Sequence, residues 1–364
     1  MYSIMEQMRT ELSDLESFVS SITPVNNALS MHGDVSVRQY LTLRRQYDYA
    51  AFVIALYASF ERFTEALVAE YVRKVSTFTS YEDLPLTLTK KHITQSADML
   101  SRKRLGEGRY AHLSSLQVAG NLFKCLSGDK SYSLTSEAVI AHDTNLRFAD
   151  VGKLLGDVGI LNFCDSLPNI EPIWHWFVSV ELGNDSDSDP VERTTETCRA
   201  IKTIFETRLN DLIERRNEVA HRGGSADELL GQAEMLSRID AIRTLAEGML
   251  DASSSAYLKL RTKDKSYASL MEVVEGPYKS GSVIVIKPPS IPIFLGQPSF
   301  VIHSDGAVRW GRIVGLKINN ESAEAIEPSV ESNTIGVELD VRCGPNSQVW
   351  FSHSPDQTVW APGL

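Results

Sequence analysis

No stretch of the chain approaches the ~20 consecutive apolar residues that a membrane-spanning helix needs, so no span is expected. Cysteine is scarce, at 4 residues in 364. Cys125, Cys164, Cys198 and Cys343 form neither a Cys-x-x-Cys pair nor a cluster with histidine, which disfavours a disulfide framework and a zinc site and leaves buried thiols as the expectation. A surplus of positive charge is missing too: 36 Lys and Arg stand against 47 Asp and Glu, a formal net charge of -11. Broad affinity for nucleic acid comes from neutralising phosphates with surplus cations, so any such contact must be local. Met1 to Arg9 lack the basic-then-apolar order of a secretory signal, and a cytoplasmic location is expected. No P-loop is present, and neither a cofactor nor a metal is expected.

What is there has the makings of two domains. Ile4, Met8, Leu12, Leu15, Phe18 and Val19 have helical spacing up to Thr23-Pro24, where proline is expected to end the helix. A much longer helix is predicted from about 35 to 75, its stripe formed by Leu41, Tyr49, Phe52, Val53, Leu56, Phe60, Phe63, Leu67 and Tyr71. Residues 80–180 are mixed, with helical segments near 90–103 and 145–160, a boundary at Gly159, and an insertion around 80–140. Gly183 to Pro190 reads as a polar loop. Helices over about 191–221 and 226–260 follow, joined by a tight connection. There Gly223 and Gly224 can close one helix, Ser225 with Glu228 spells a capping box for the next, and the two should be antiparallel neighbours. After about 265 short β-rich runs appear, among them Val283 to Ile286, Phe300 to Ile302 and Ile335 to Val341. The expected fold class is α+β: a large all-α bundle over 1–265, then a small all-β barrel over 266–364.

In the helix ending at His221, Phe205, Leu209, Leu212, Ile213 and Ala220 define the expected buried face. Arg216 lies four residues from both Leu212 and Ala220. An unpaired guanidinium on an apolar stripe is costly, and such violations mark functional sites, so something anionic should meet it. His221 stands at the helix C-terminus, where the dipole favours imidazolium while Arg215, Arg216 and Arg222 oppose it, a balance that suits an acid or base near neutral pH. Five residues turn an ideal helix by about 140°, so Arg216 and His221 do not stack. Either the end unwinds or a second molecule completes the site. By spacing alone, an Arg and a His near a helix end are ordinarily a surface cation and a capping side chain.

The segment Leu212-Ile-Glu-Arg-Arg-Asn217-Glu-Val-Ala-His221 resembles the R-x4-6-H motif of the HEPN superfamily, in its R-N-x-x-x-H form, and is similar to the RiboL-PSP-HEPN branch. Ala58-Ser-Phe-Glu61-Arg-Phe resembles that branch's acidic helix, and Asn145-Leu-Arg-Phe through Gly159-Ile resembles its segment before the motif helix. Arg222 departs from the glycine usual after the histidine, with Gly223 one place later. The resemblance covers most of residues 30 to 255. It implies an all-α HEPN bundle and a homodimer with two motifs across one cleft. It also implies metal-independent cleavage of RNA, with tRNA and mRNA as candidate substrates, by 2′-hydroxyl attack that leaves a 2′,3′-cyclic phosphate. In that scheme Arg216 stabilises the phosphorane, His221 is the acid or base, Asn217 orients phosphate or ribose, and Glu61 pairs with Arg216 or orients His221. Arg215 and Arg222 become RNA-contacting cations.

Gly281 to Ile286, Gly311 to Asn319, Ala323 to Ile326 and Thr334 to Asp340 resemble the second, β-barrel domain of translational GTPases of the elongation factor Tu type. Without a P-loop this implies docking on RNA, tRNA or a partner protein. Other readings stay open: a non-catalytic RNA-binding or scaffolding module, and a toxin or phage-defence effector held by an antitoxin or defence partner. Trp174-His175-Trp176 reads as core sooner than as a base-stacking platform, and Lys90-Lys91 as a solvated face sooner than as a phosphate site.

Overall fold

The computed structural model describes residues 1–31, 34–102, 105–142, 145–184, 191–221, 228–328, 334–354 and 356–361. The chain divides into two compact units: residues 3–252, and residues 253–364 together with Met1 and Tyr2. The division falls inside the last helix, at Ser253, upstream of the change in sequence character near 265. Among the described residues no helix is long and apolar enough to cross a membrane.

Helix α1 (Tyr2–Ser30) buries Met5, Met8, Leu12 and Val19, and Pro24 lies inside it instead of ending it. Proline costs about 3 kcal/mol in a helix interior, so packing must hold the final turns. Ile22, Asn26 and Asn27 line a cleft of about 340 Å3 with Tyr49, Leu230 and Met235, and Thr23 Oγ1 donates to Gln232 Oε1 at 2.6 Å. Helix α2 (Val35–Val75) starts on Asp34, whose carboxylate accepts the Ser36 N–H. From Tyr49 onward its stripe is buried, with Phe52, Val53, Leu56, Phe60 and Leu67 fully enclosed, whereas Leu41 is only half-buried. Two residue types make this helix central: aromatics that bury much area, and long aliphatics at 3.6-residue spacing.

The 80–140 region holds α3 (Leu86–Arg102), α4 (Ser115–Leu126) and the short α5 (Ser136–Val139). It has its own small core of Met99, Val118 and Ala138. Helix α6 (Phe148–Asp157) ends at Gly159, with φ +94°. Ile160 N–H bonds Leu155 O and Gly159 N–H bonds Gly156 O, the paired closure that a left-handed glycine permits. The short α7 (Phe163–Ser166) and α8 (Glu171–Trp176) follow. Trp174 and Trp176 are buried, Trp176 Nε1 donating to Asp240 at 2.6 Å. The motif helix α9 (Thr195–His221) and α10 (Gln232–Arg261) run antiparallel, because Arg208 meets Ser237 while Arg215 meets Glu228. The expected glycine closure and the Ser225 cap lie outside the described residues, as does most of the polar loop up to Pro190.

The second unit is a curled antiparallel sheet, a half-barrel. Its strands are β1 (Ala268–Met271), β2 (Val273–Tyr278), β3 (Val283–Ile286), β4 (Ile293–Phe294), β5 (Pro298–Ile302), β6 (Val308–Ile318), β7 (Glu321–Ser322), β8 (Ala325–Ile326), β9 (Ile335–Leu339) and β10 (Gln348–Ser352). The order is β1-β10-β5-β6-β9-β3-β2, with β7 on β6 and β4 paired to β8. The core is aliphatic, built on Ile284, Ile286, Val301, Ile335 and Val337 with Phe351. Register places Trp350, Phe300 and Trp310 side by side across β10, β5 and β6, the first two rings stacked at 6.0 Å. Tyr257 and Tyr267 both donate to Asp356, at 2.8 and 3.0 Å, and Arg261 lies 4.0 Å over the Tyr267 ring. The cysteines are free thiols, Cys125 and Cys343 buried, Cys164 and Cys198 half-buried.

His92 is fully buried on α3, and its Nε2 accepts the Thr135 N–H at 3.0 Å. Burial pushes its pKa down from 6.5 to about 4. The unfolded chain therefore binds a proton that the folded one refuses between those values, and His92 removes stability as pH falls through that window. Urea unfolding at about pH 4.5 should show a His92 contribution of roughly 2 to 3 kcal/mol lost relative to neutral pH. His92→Gln, which keeps an acceptor for Thr135, should flatten that part of the pH dependence. An unchanged pH profile in the variant would show that the buried imidazole is not the group responsible.

Candidate active site

Helix α9 presents three distinct sides from Phe205 to its end at His221. Phe205, Leu209, Leu212, Ile213 and Val219 are buried, and Arg216 stands in the middle of that stripe, half-buried. The sequence reading placed Ala220 on this face; it is exposed, and Val219 takes the position. Val219 is nearly in line with Leu212 seven residues earlier, and Ala220, though on the side of Leu209 and Ile213, lies in the last turn of the helix.

The second side carries Asn210, Glu214, Asn217 and His221 at spacings of four, three and four. It meets the segment leading into α6: Phe148 N–H donates to Asn210 Oδ1 at 3.1 Å, Arg147 pairs with Glu214, and Asn145 Nδ2 donates to Asn217 Oδ1 at 2.8 Å. Asn217 links the two sides, since the same oxygen accepts from Arg216 Nη1 at 3.2 Å. Two donors on one oxygen fix the amide, and its Nδ2 has no bonded partner among the described residues. His221 lies one turn beyond Asn217 on the same face. It is exposed and has no hydrogen bond among the described residues.

Beneath Arg216 lies Tyr57, buried on α2, its ring centre 5.5 Å from the guanidinium carbon. That is within the range of a cation–π attraction. The Tyr57 hydroxyl donates to Glu61 Oε1 at 2.8 Å and accepts the Leu146 N–H at 3.1 Å. Burial pushes its pKa well above the usual tyrosine value, with Glu61 adding to the rise, so the phenol stays neutral. Glu61 thus reaches the arginine only through Tyr57. Among the described residues neither the expected Glu61–Arg216 pair nor a Glu61–His221 contact occurs, and no carboxylate stands within ion-pairing distance of Arg216. Sequence reasoning passed over Tyr57 and did not single out Asn145. The available signals were position: Tyr57 is one turn before Glu61, and Asn145 opens the segment that resembles the family's.

The third side is structural. Arg215, expected to touch RNA, directs its guanidinium inward, to Asp211 at 2.9 Å, Tyr49 Oη at 3.0 Å and Glu228 O at 3.1 Å. Burial works to lower its pKa, and the bonds to Tyr49 and Asp211 outweigh that and raise it. Asp211 also pairs with Arg238 at 2.9 Å, tying α9 to α10. Arg222 lies outside the described residues. Among the described residues no group of three or more His, Cys, Asp or Glu side chains is placed to hold a metal ion.

A half-buried cation without a counter-ion among the described residues, an oriented amide and an exposed imidazole one turn beyond it make a site that can receive an anion and move a proton. No curated protein matches the chain. The sequence model of the RiboL-PSP-HEPN family matches residues 9–253, which include α2, the Asn145 segment and the whole of α9. The match spans more than half of the chain and encloses every side chain of the site just described, and the chain belongs to the RiboL-PSP-HEPN family.

Proposed function

We propose that the protein is a metal-independent endoribonuclease. The observation that carries the reading is Arg216: a guanidinium on the buried stripe whose described partners, Asn217 Oδ1 and the Tyr57 ring, are both uncharged. Neutral partners leave the charge uncompensated, and the scissile phosphate is the anion that supplies compensation. The 2′-hydroxyl loses its proton to a base, its oxygen bonds to phosphorus, and the bond to the leaving 5′ oxygen breaks as an acid protonates that oxygen. The products are a 2′,3′-cyclic phosphate and a 5′-hydroxyl. Arg216 holds the extra negative charge of the phosphorane, electrostatic help commonly worth a few kcal/mol per donor. The unengaged Asn217 Nδ2 donates to phosphate or ribose. His221 moves the proton.

The reaction needs both an acid and a base, and among the described residues the end of α9 offers one imidazole, that of His221. A homodimer that faces two copies of the end of α9 across one cleft supplies both, and it removes the difficulty that Arg216 and His221 lie on different sides of their helix. Glu61 acts through Tyr57 as a positioning group. Arg215, bound to Asp211 and Tyr49, holds α9 in place, and the half-barrel selects the RNA or a partner protein. Cleavage of cellular RNA by a regulated enzyme fits a toxin or phage-defence effector. A second reading, a non-catalytic RNA-binding module, is favoured by one observation: no described side chain orients the His221 ring, whereas working acid–base histidines are held by a neighbour.

RNA cleavage assayed with EDTA decides between the two. Activity should persist with chelator and vanish when the ribose at the cut site is replaced by deoxyribose. Arg216→Ala and His221→Ala should each lower the rate by roughly 10²-fold or more, and cleavage that survives both changes would move the assignment to the binding module. Light scattering should give a dimer for the wild type and for Arg216→Ala alike, and a strict monomer that still cleaves RNA would refute the shared cleft. Tyr57→Phe removes the link to Glu61 and leaves the Leu146 N–H unpaired. It should cost about 1–3 kcal/mol in urea unfolding and slow cleavage without changing the EDTA response; an unchanged rate would remove Glu61 from the positioning role.

A further inference from the structure

An acidic ribonuclease needs somewhere to hold the rest of a polyanion, and one cleft in the helical unit has the composition for it. Helices α3 and α6 and the residues Ala141 and His142 enclose about 500 Å3. Its cations are Lys90 and Lys91 from α3 and Lys153 from α6. Its carboxylates have partners: Asp157 pairs with Lys91 at 3.1 Å, and Asp150 accepts the Arg147 N–H at the start of α6. His142, on the same wall, is paired with Glu65 at 3.0 Å. Lys90 and Lys153 are exposed and have no ion pair among the described residues. Thr94 and Gln95 add neutral hydrogen-bonding groups to the wall, and its one ring, the His142 imidazole, is engaged by Glu65. The cleft therefore offers charge and hydrogen bonds to a backbone and no platform for a base.

Its position matters as much as its charge. Lys153 is on the helix whose first residues are bound to α9, through Phe148 N–H to Asn210 and, just upstream, Asn145 to Asn217. From Arg147 to Lys153 the chain rises only about 9 Å along the α6 axis. Lys153 and the Arg216 site are thus joined by one short, hydrogen-bonded element, and Lys90 stands on the α3 wall of the same cleft. We infer that the cleft between α3 and α6 holds backbone phosphates of the same single-stranded RNA whose scissile phosphate lies at Arg216, with Lys90 and Lys153 as the contacting cations.

This rests on the ribonuclease reading, and the experiment separates the two. The probe is a fluorescein-labelled 2′-O-methyl oligouridylate, which keeps the phosphates and blocks 2′-hydroxyl attack; binding to the full-length protein is followed by anisotropy over a range of salt. Each phosphate contact on a single strand contributes a slope of about 0.7 in log K against log salt, so the double variant Lys90→Gln/Lys153→Gln should bind more weakly with a slope shallower by about 1.4. Lys90→Arg/Lys153→Arg should restore it. Cleavage at subsaturating RNA should fall with affinity in the glutamine variant and recover in the arginine variant. Wild-type affinity and slope in the glutamine variant would overturn the cleft while leaving cleavage by Arg216 and His221 untouched, and failure of the wild type to bind the probe would overturn it too. A shifted slope, with Arg216→Ala and His221→Ala still cleaving, would sink the catalytic reading and keep the cleft as an RNA-binding surface.

Discussion

The arrangement of the helical unit follows from one constraint, the placing of the Arg216 guanidinium on the buried stripe of α9 without a carboxylate among its described partners. A cation removed from water requires compensation, and here only partial compensation is present: one amide oxygen and one aromatic face. The carboxylate that could neutralise it, Glu61, is held one residue away by the Tyr57 hydroxyl. Tyr57 separates the two charges and orders both, because burial keeps the phenol protonated and therefore a donor to Glu61. Asn145 does the same for Asn217 from the other side, fixing the amide so that its oxygen faces Arg216.

The contrast with the neighbouring residue shows that this is not a general shortage of acid. Arg215 is about 100° round the helix and meets Asp211, Tyr49 and the Glu228 carbonyl, while Asp211 also takes Arg238. Two adjacent arginines thus have opposite fates, one saturated and one left short. The saturated one ties α9 to α2 and α10 close to the point where the other needs a fixed position. A half-buried charge with neutral partners disfavours its own helix end, and the Arg215 network is the neighbouring interaction able to offset that cost.

How far the sequence reveals this depends on whether the interaction is local. The core stripe of α2 from Tyr49 to Tyr71 and the stripe of α9 through Leu212 are readable because each is a period within one helix. Arg216 is readable as a violation of that period. Ala220 misled because the stripe is broad and Val219 and Ala220 both fall near its edges. Pro24 misled because a proline usually ends a helix, and the packing of Ile22 and Thr23 against residues around Gln232, some two hundred positions away, does not show in the local pattern. For the same reason Tyr57 and Asn145 are marked in the sequence by position alone, and their bonds to Leu146 and Asn217 do not show there. Strand β2 was missed because it has no buried face to give an alternating pattern: nearly every residue of Val273–Tyr278 is exposed.

The charge balance of the whole chain and that of the site point in opposite directions, and the structure reconciles them by pairing. A net charge of -11 repels RNA at long range, and screening limits that repulsion to about a Debye length, some 8 Å at physiological salt. Within that distance, what counts is which cations remain unneutralised. Near Arg216 Glu61 is engaged by Tyr57 and Glu214 by Arg147, and in the cleft between α3 and α6 Asp157 is engaged by Lys91. An acidic surface with a few uncompensated cations binds polyanions weakly everywhere except at those cations. For the proposed ribonuclease activity this favours discrimination over capture, because an RNA must already fit the groups around α9 before its phosphates gain anything from being there.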